Sequence, residues 1–163
     1  MIRKPDPMTL IRCIVGIVFL TEGLLKLVHP QDLGAGRFAR IGLPWPNALG
    51  PATAVVEIAG SLLLLANLVP AYAALALFGV ITVALITTKL PVLLNHPVGP
   101  FTLMKVPYYG ILGFLHESRT DLCMFFGTLA LFLRHWQEAP LLARLQNRRS
   151  ARQARPEGRP GLT

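Results

Sequence analysis

Four apolar blocks, each near the length of a bilayer crossing, constrain this chain more than any other feature. They fall at about residues 8–28, 48–69, 71–90 and 118–135 of the 163. A helix needs roughly 20 apolar residues to cross the hydrocarbon core, where the backbone must satisfy its own hydrogen bonds. The sequence therefore predicts an all-α, membrane-spanning four-helix bundle over residues 1–140. The last block is the shortest; it borrows length from the preceding "GILGFLHES" or sits where the bilayer is thin. Composition agrees, with 53% hydrophobic and 15% charged residues, against about 25% charged in a soluble domain.

The connections differ in kind. "NLVPA", residues 67–71, is a tight turn in which Asn67 ends one helix and Pro70 opens the next. Residues 29–47 are rich in Gly and Pro, and within them Gly34 and Gly36 read as a turn. Residues 91–119 form a long Pro-rich loop between the third and fourth helices. Tyr108 and Tyr109 mark this loop as lying along the membrane surface or dipping into it. The first block is expected to be retained rather than cleaved, because Pro5 and Pro7 precede it, charges interrupt it and no A-x-A site follows.

The formal charge of +8 raises the question of nucleic acid, and its distribution answers it. From Leu141 onward six arginines stand against Glu157 alone, a net +5 in one terminal segment. Residues 141–163 read as a disordered cytoplasmic tail that sets orientation and touches anionic headgroups, with no nucleic-acid role. An even number of crossings puts both termini on one side. Arg3, Lys4, Arg12, Arg134 and the tail arginines lie there, and Arg37, Arg40, Lys89, Lys105 and Arg119 lie opposite. The bias places both ends in the cytoplasm.

Charges inside the blocks are the candidate site. A charged residue near the bilayer centre costs about 2.5–3.5 kcal/mol on insertion scales, so something must offset Glu22 and Lys26. They are four apart and can pair on one helix face. Arg12, Gly16, Phe19, Gly23 and Lys26 share that face, and Thr53, Glu57, Gly60 and Ser61 repeat the small-and-polar pattern in the second block. Counting along the helices puts Glu22, Lys26, Glu57, Lys89 and Asp121 toward the same end, pointing into the bundle to meet one another. Two lysines against three carboxylates leave one acid in excess, which opens a proton-handling role; the other reading is a charge lock that holds the helices in register.

His29, His96 and His116 sit at helix ends or in loops near that level, without metal-ligand spacing, and no metal site is expected. Cys13 and Cys123 lie near opposite membrane faces, too far apart to bridge, and read as packing residues. No phosphate-binding loop, nucleophile elbow or zinc-protease motif is present.

Three stretches together resemble one family. "IRCIVGIVFLTEGLLKLVHP", "LPWPNALGPATAVVEIAGSLLLLANLVP" and "HESRTDLCMFFGTLALFL" are similar to the first, second and fourth helices of DoxX membrane proteins. The resemblance covers roughly residues 9–134 and singles out Arg12, Gly16, Gly23, Lys26, Glu57 and either Glu117 or Asp121. It implies a small protein of the bacterial inner membrane, without an intrinsic cofactor. It also implies a link to quinone-dependent oxidation through a redox partner protein, as in thiosulfate:quinone oxidoreductase. Glu22 and the basic tail depart from the family pattern. The expected function is an accessory subunit of a quinone-linked complex; the alternatives are small-molecule or ion binding or transport, and a structural scaffold.

Overall fold

The computed structural model describes residues 6–136, and the expected tail at 141–163 lies outside them. Among these residues the chain is helical, without strands. In order the helices are α1 (Pro7–Val28), α2 (Ala35–Arg40), α3 (Pro46–Leu65), α4 (Pro70–Ala84), a π-helical turn (Leu85–Lys89), α5 (Leu90–Leu94), α6 (Gly110–Glu117) and α7 (Arg119–Trp136). Three stretches are long and apolar enough to cross a membrane: Pro7–Val28, Pro46–Leu65 and Pro70–Leu94. The fourth expected crossing corresponds to α7, which has 18 residues, carries Arg119, Asp121 and Arg134, and is not among those three.

Local chemistry sets the helix ends. Asp6 caps α1, its Oδ1 accepting from the Met8 amide at 3.2 Å, and Pro7 occupies the first helical position, where no donor is needed. Pro91 explains the π-helical turn. It has no N–H and its ring crowds the carbonyl four residues back, so the chain takes in an extra residue and the Leu90 amide donates to Leu85 O.

Small residues decide which helices touch. α1 packs on α3, α3 on α4, α4 on α7, and α7 returns to α1. The buried face of α3 is Gly50, Ala54, Glu57, Gly60, Ser61 and Leu64, and that of α4 is Ala71, Ala73, Ala74, Leu77 and Ile81. Close helix contact in lipid relies on such residues, because lipid supplies no hydrophobic drive for association. Val15, Phe19, Leu64, Leu77, Met124 and Leu131 fill the centre, and the Phe78 and Phe125 rings meet at 4.7 Å across α4 and α7. Cys13 and Cys123 face outward as free thiols, not inward as packing residues, because Val15, Gly16 and Met124 take the inward positions beside them.

The two ends of the molecule are built differently. At the loop end, α2 packs on α3, and Gly34–Gly36 is not a free turn but the start of α2. Arg40 donates to the carbonyls of Gln31 and Asp32, each at 2.9 Å, and Thr102 ties the second long connection to the Arg40 and Ile41 carbonyls. Gly42, at φ 84°, lets the connections touch: a Cβ there would stand 1.9 Å from Pro100 O.

At the turn end, residues 66–69 join α3 to α4, with Asn67 at φ 55° and Val69 at φ 43°. Asn tolerates the left-handed region, whereas a β-branched residue there is strained by about 1–3 kcal/mol. Val69 is exposed and loses little packing on replacement. Val69→Asn is therefore expected to raise the unfolding midpoint in detergent, by about 1 kcal/mol of stability. A lowered midpoint would show that the turn is unstrained.

Candidate functional site

The expected cluster of five charges resolves into two separate ion-paired groups. In the first, Lys26 of α1 donates to both carboxylate oxygens of Glu57 on α3, at 2.9 and 2.7 Å. Glu57 is only 3% exposed. Glu22, one turn back along α1, approaches Lys26 at 3.6 Å, and its side chain is 49% exposed. The nearer partner of Lys26 thus comes from the neighbouring helix rather than from its own.

Gly23 makes that partnership possible. A Cβ on it would lie 2.8 Å from Ile58 Cγ1, 3.0 Å from Ala54 O and 3.1 Å from Glu57 Cβ. The bare glycine lets the α3 backbone come close enough for a short, two-pronged contact. An ammonium carries three protons. Two go to Glu57, and among the described residues the third has only the more distant Glu22 within reach. Lys26 is thereby held between one carboxylate sealed in the helix interface and one open to the surroundings.

The second group joins Lys89, the last residue of the π-helical turn, to Asp121 in the first turn of α7, at 3.5 Å. Thr87 and Thr88 beside it are buried, and their hydroxyls donate back to the carbonyls of Val83 and Ala84.

Arg12 belongs to neither group. It donates to the Asn67 side chain at the turn end, about 21 Å along α1 from Lys26. The stripe on α1 is real, but its two charges lie at opposite ends and tie α1 to different parts of α3: Lys26 to Glu57, and Arg12 to the turn that follows. His29 terminates α1, and the His96 ring contacts Pro97 O. His116 and Glu117 end α6, where the His116 carbonyl accepts from Arg119. None of these four enters either ion-paired group, and among the described residues no three of His, Cys, Asp and Glu could together hold a metal.

Sequence reading missed Asn67 as a side-chain partner, and it missed the π-helical turn that presents Lys89. The turn had a visible signal, "TTKLP", in which a proline follows shortly after two threonines within an apolar run.

Apolar helices of crossing length, closed around a buried lysine–carboxylate pair, define an integral membrane protein. The chain belongs to the DoxX family, whose model matches residues 8–90 and so takes in Arg12, Glu22, Lys26, Glu57 and Lys89. An uncharacterized membrane protein of Mycobacterium tuberculosis is 39% identical over 127 residues, 78% of this chain and 74% of that relative. No solved structure matches the chain.

Proposed function

We propose that the protein is an accessory subunit of a quinone-linked redox complex, built as a four-helix bundle in a bacterial inner membrane with both termini in the cytoplasm. A partner protein supplies the electron-carrying cofactor. The supporting observation is the arrangement around Lys26: one buried carboxylate engaged through both oxygens, one exposed carboxylate 3.6 Å away, and a third ammonium proton not used by Glu57.

A quinone headgroup needs a hydrogen-bond donor at its carbonyl and a proton source beside it. Lys26 and Glu22 are of the right type and spacing for those parts, so the residues fit the group. A bound quinone supplies two-electron, two-proton chemistry. The chain's own task is to orient the headgroup with Lys26, to hold Lys26 in place with Glu57, and to carry protons on the Glu22 carboxyl. Native mass spectrometry of the protein released gently from its own membrane is expected to show a quinone mass or a redox partner, and Glu57→Gln is expected to lose it. A folded protein that carries neither, with an unchanged redox phenotype in Glu57→Gln cells, overturns the proposal.

One observation favours a scaffold instead. Both oxygens of Glu57 are already taken by Lys26, as a pure register lock would have them. In that reading the exchange Lys26→Glu with Glu57→Lys keeps both expression and phenotype; in the redox reading it keeps expression and loses the phenotype.

A further inference from the structure

Lys89 is largely buried along its stem, while its ammonium reaches the surface and is only partly satisfied by its partner. It is 9% exposed, yet its Nζ stands 3.5 Å from Asp121 Oδ2, and it makes no hydrogen bond to another described residue. N–H···O bonds run at 2.7–3.2 Å, and Lys26 meets that standard twice. Asp121 also receives no hydrogen bond from a described residue, and its side chain is 29% exposed. The pair is thus loose and polar. Both charged ends are open to the surroundings with hydrogen-bonding capacity unused, so a further charged partner can reach them.

Position along the span indicates what that partner is. Lys89 lies five residues before Leu94, the end of the span Pro70–Leu94, or about 7–8 Å. The 25-residue span is about 37 Å long against a hydrocarbon core of about 30 Å, so with the span centred Lys89 falls near the edge of that core. α6 packs against α5, the last turn of this same span, and exposes Ile111, Leu112 and Leu115, with exposed Tyr108 just before them. These side chains offer an apolar wall for an acyl chain, and Tyr108 suits the interface.

Charge selects the headgroup. A simple anion at Lys89 would meet the Asp121 carboxylate, and a simple cation at Asp121 would meet the Lys89 ammonium. A group with a phosphate beside a primary ammonium matches both, accepting from Lys89 and donating to Asp121 through charge-assisted bonds. We propose that Lys89 and Asp121 hold the headgroup of a zwitterionic phospholipid bearing a primary amine, with its acyl chain along α6. This site is separate from the Lys26 group and does not depend on the redox reading.

The test reconstitutes the full chain in vesicles with equal parts phosphatidylethanolamine, phosphatidylcholine and phosphatidylglycerol, and reads retained lipid by native mass spectrometry. The native chain is expected to retain phosphatidylethanolamine about tenfold over either competitor, a difference worth about 1.4 kcal/mol. Lys89→Gln removes the preference, and Lys105→Gln, a loss of charge in the nearby loop, keeps it. Asp121→Asn leaves Lys89 uncompensated and turns the preference toward phosphatidylglycerol. That reversal decides the matter even if Lys89→Gln fails to fold. Equal retention of the three lipids by the native chain overturns the proposal. So does a preference that survives Lys89→Gln, or an Asp121→Asn protein that does not turn to phosphatidylglycerol.

Discussion

Glu57→Ala is expected to destabilise the protein by about 3 kcal/mol, measured by reversible unfolding in detergent micelles. Removing one member of a buried ion pair leaves the other charge uncompensated, which typically costs about 3–5 kcal/mol. Lys26 then keeps Glu22, already 3.6 Å away, as a partial substitute, and this sets the loss at the low end. The double replacement Lys26→Met with Glu57→Leu removes both charges and restores apolar volume. It is expected to return stability to within about 1 kcal/mol of the native protein, or to exceed it. Glu22→Gln, at a half-exposed position, costs at most about 1 kcal/mol. A double variant as damaged as Glu57→Ala would mean that the pair contributes more than mutual neutralisation. If the double variant is stable but loses the redox phenotype, the pair serves function rather than folding.

Gly23→Val is expected to have the second-largest effect, at about 1–3 kcal/mol through overpacking. Its Cβ would stand 3.0 Å from the Ala54 carbonyl, which is backbone and cannot rotate away, and 2.8 Å from Ile58 Cγ1. α1 and α3 must separate, and the Lys26–Glu57 contact lengthens with them. The two effects are therefore coupled. In a double-mutant cycle, Gly23→Val with Glu57→Ala should cost clearly less than the sum of the single losses, by about 0.5 kcal/mol or more. Full additivity would show that helix spacing does not control the pair. Gly79→Ala serves as the contrast, since a Cβ there meets nothing within 4 Å. It is expected to stabilise by about 0.5–1 kcal/mol through helix propensity alone.

The legible parts of this fold are those written in local sequence. The three spans follow from length and hydropathy, the tight turn from Asn67 and Pro70, and the α1 stripe from four-and-three spacing. The same spacing paired Lys26 with Glu22, which stands 3.6 Å away, but did not single out Glu57 as the nearer partner. Along one helix Glu22 is its natural neighbour, and nothing local in the sequence says that Gly23 brings α3 nearer still. Counting residues put Lys89 and Asp121 at a shared depth, but a shared depth does not specify contact. Whether charges at one level form one group or two depends on which helices are adjacent around the bundle. α2 was not legible because its six residues are too short for periodicity to register.

By itself, the sequence determined that this chain belongs in a lipid bilayer, where its three spans fall, and which residues it must keep from lipid. Those properties depend on transfer free energies and backbone hydrogen bonding, which act residue by residue along the chain. Only the tertiary structure decided that Lys26 closes on Glu57, that Lys89 and Asp121 stand apart as a second and looser pair, and that Arg12 ties α1 to the opposite end. Partner choice between buried charges falls off steeply with distance, and helix packing sets those distances to within an ångström. Two glycines and a proline, Gly23, Gly42 and Pro91, did much of that setting through backbone approaches and a helix register that the hydrophobic pattern does not encode.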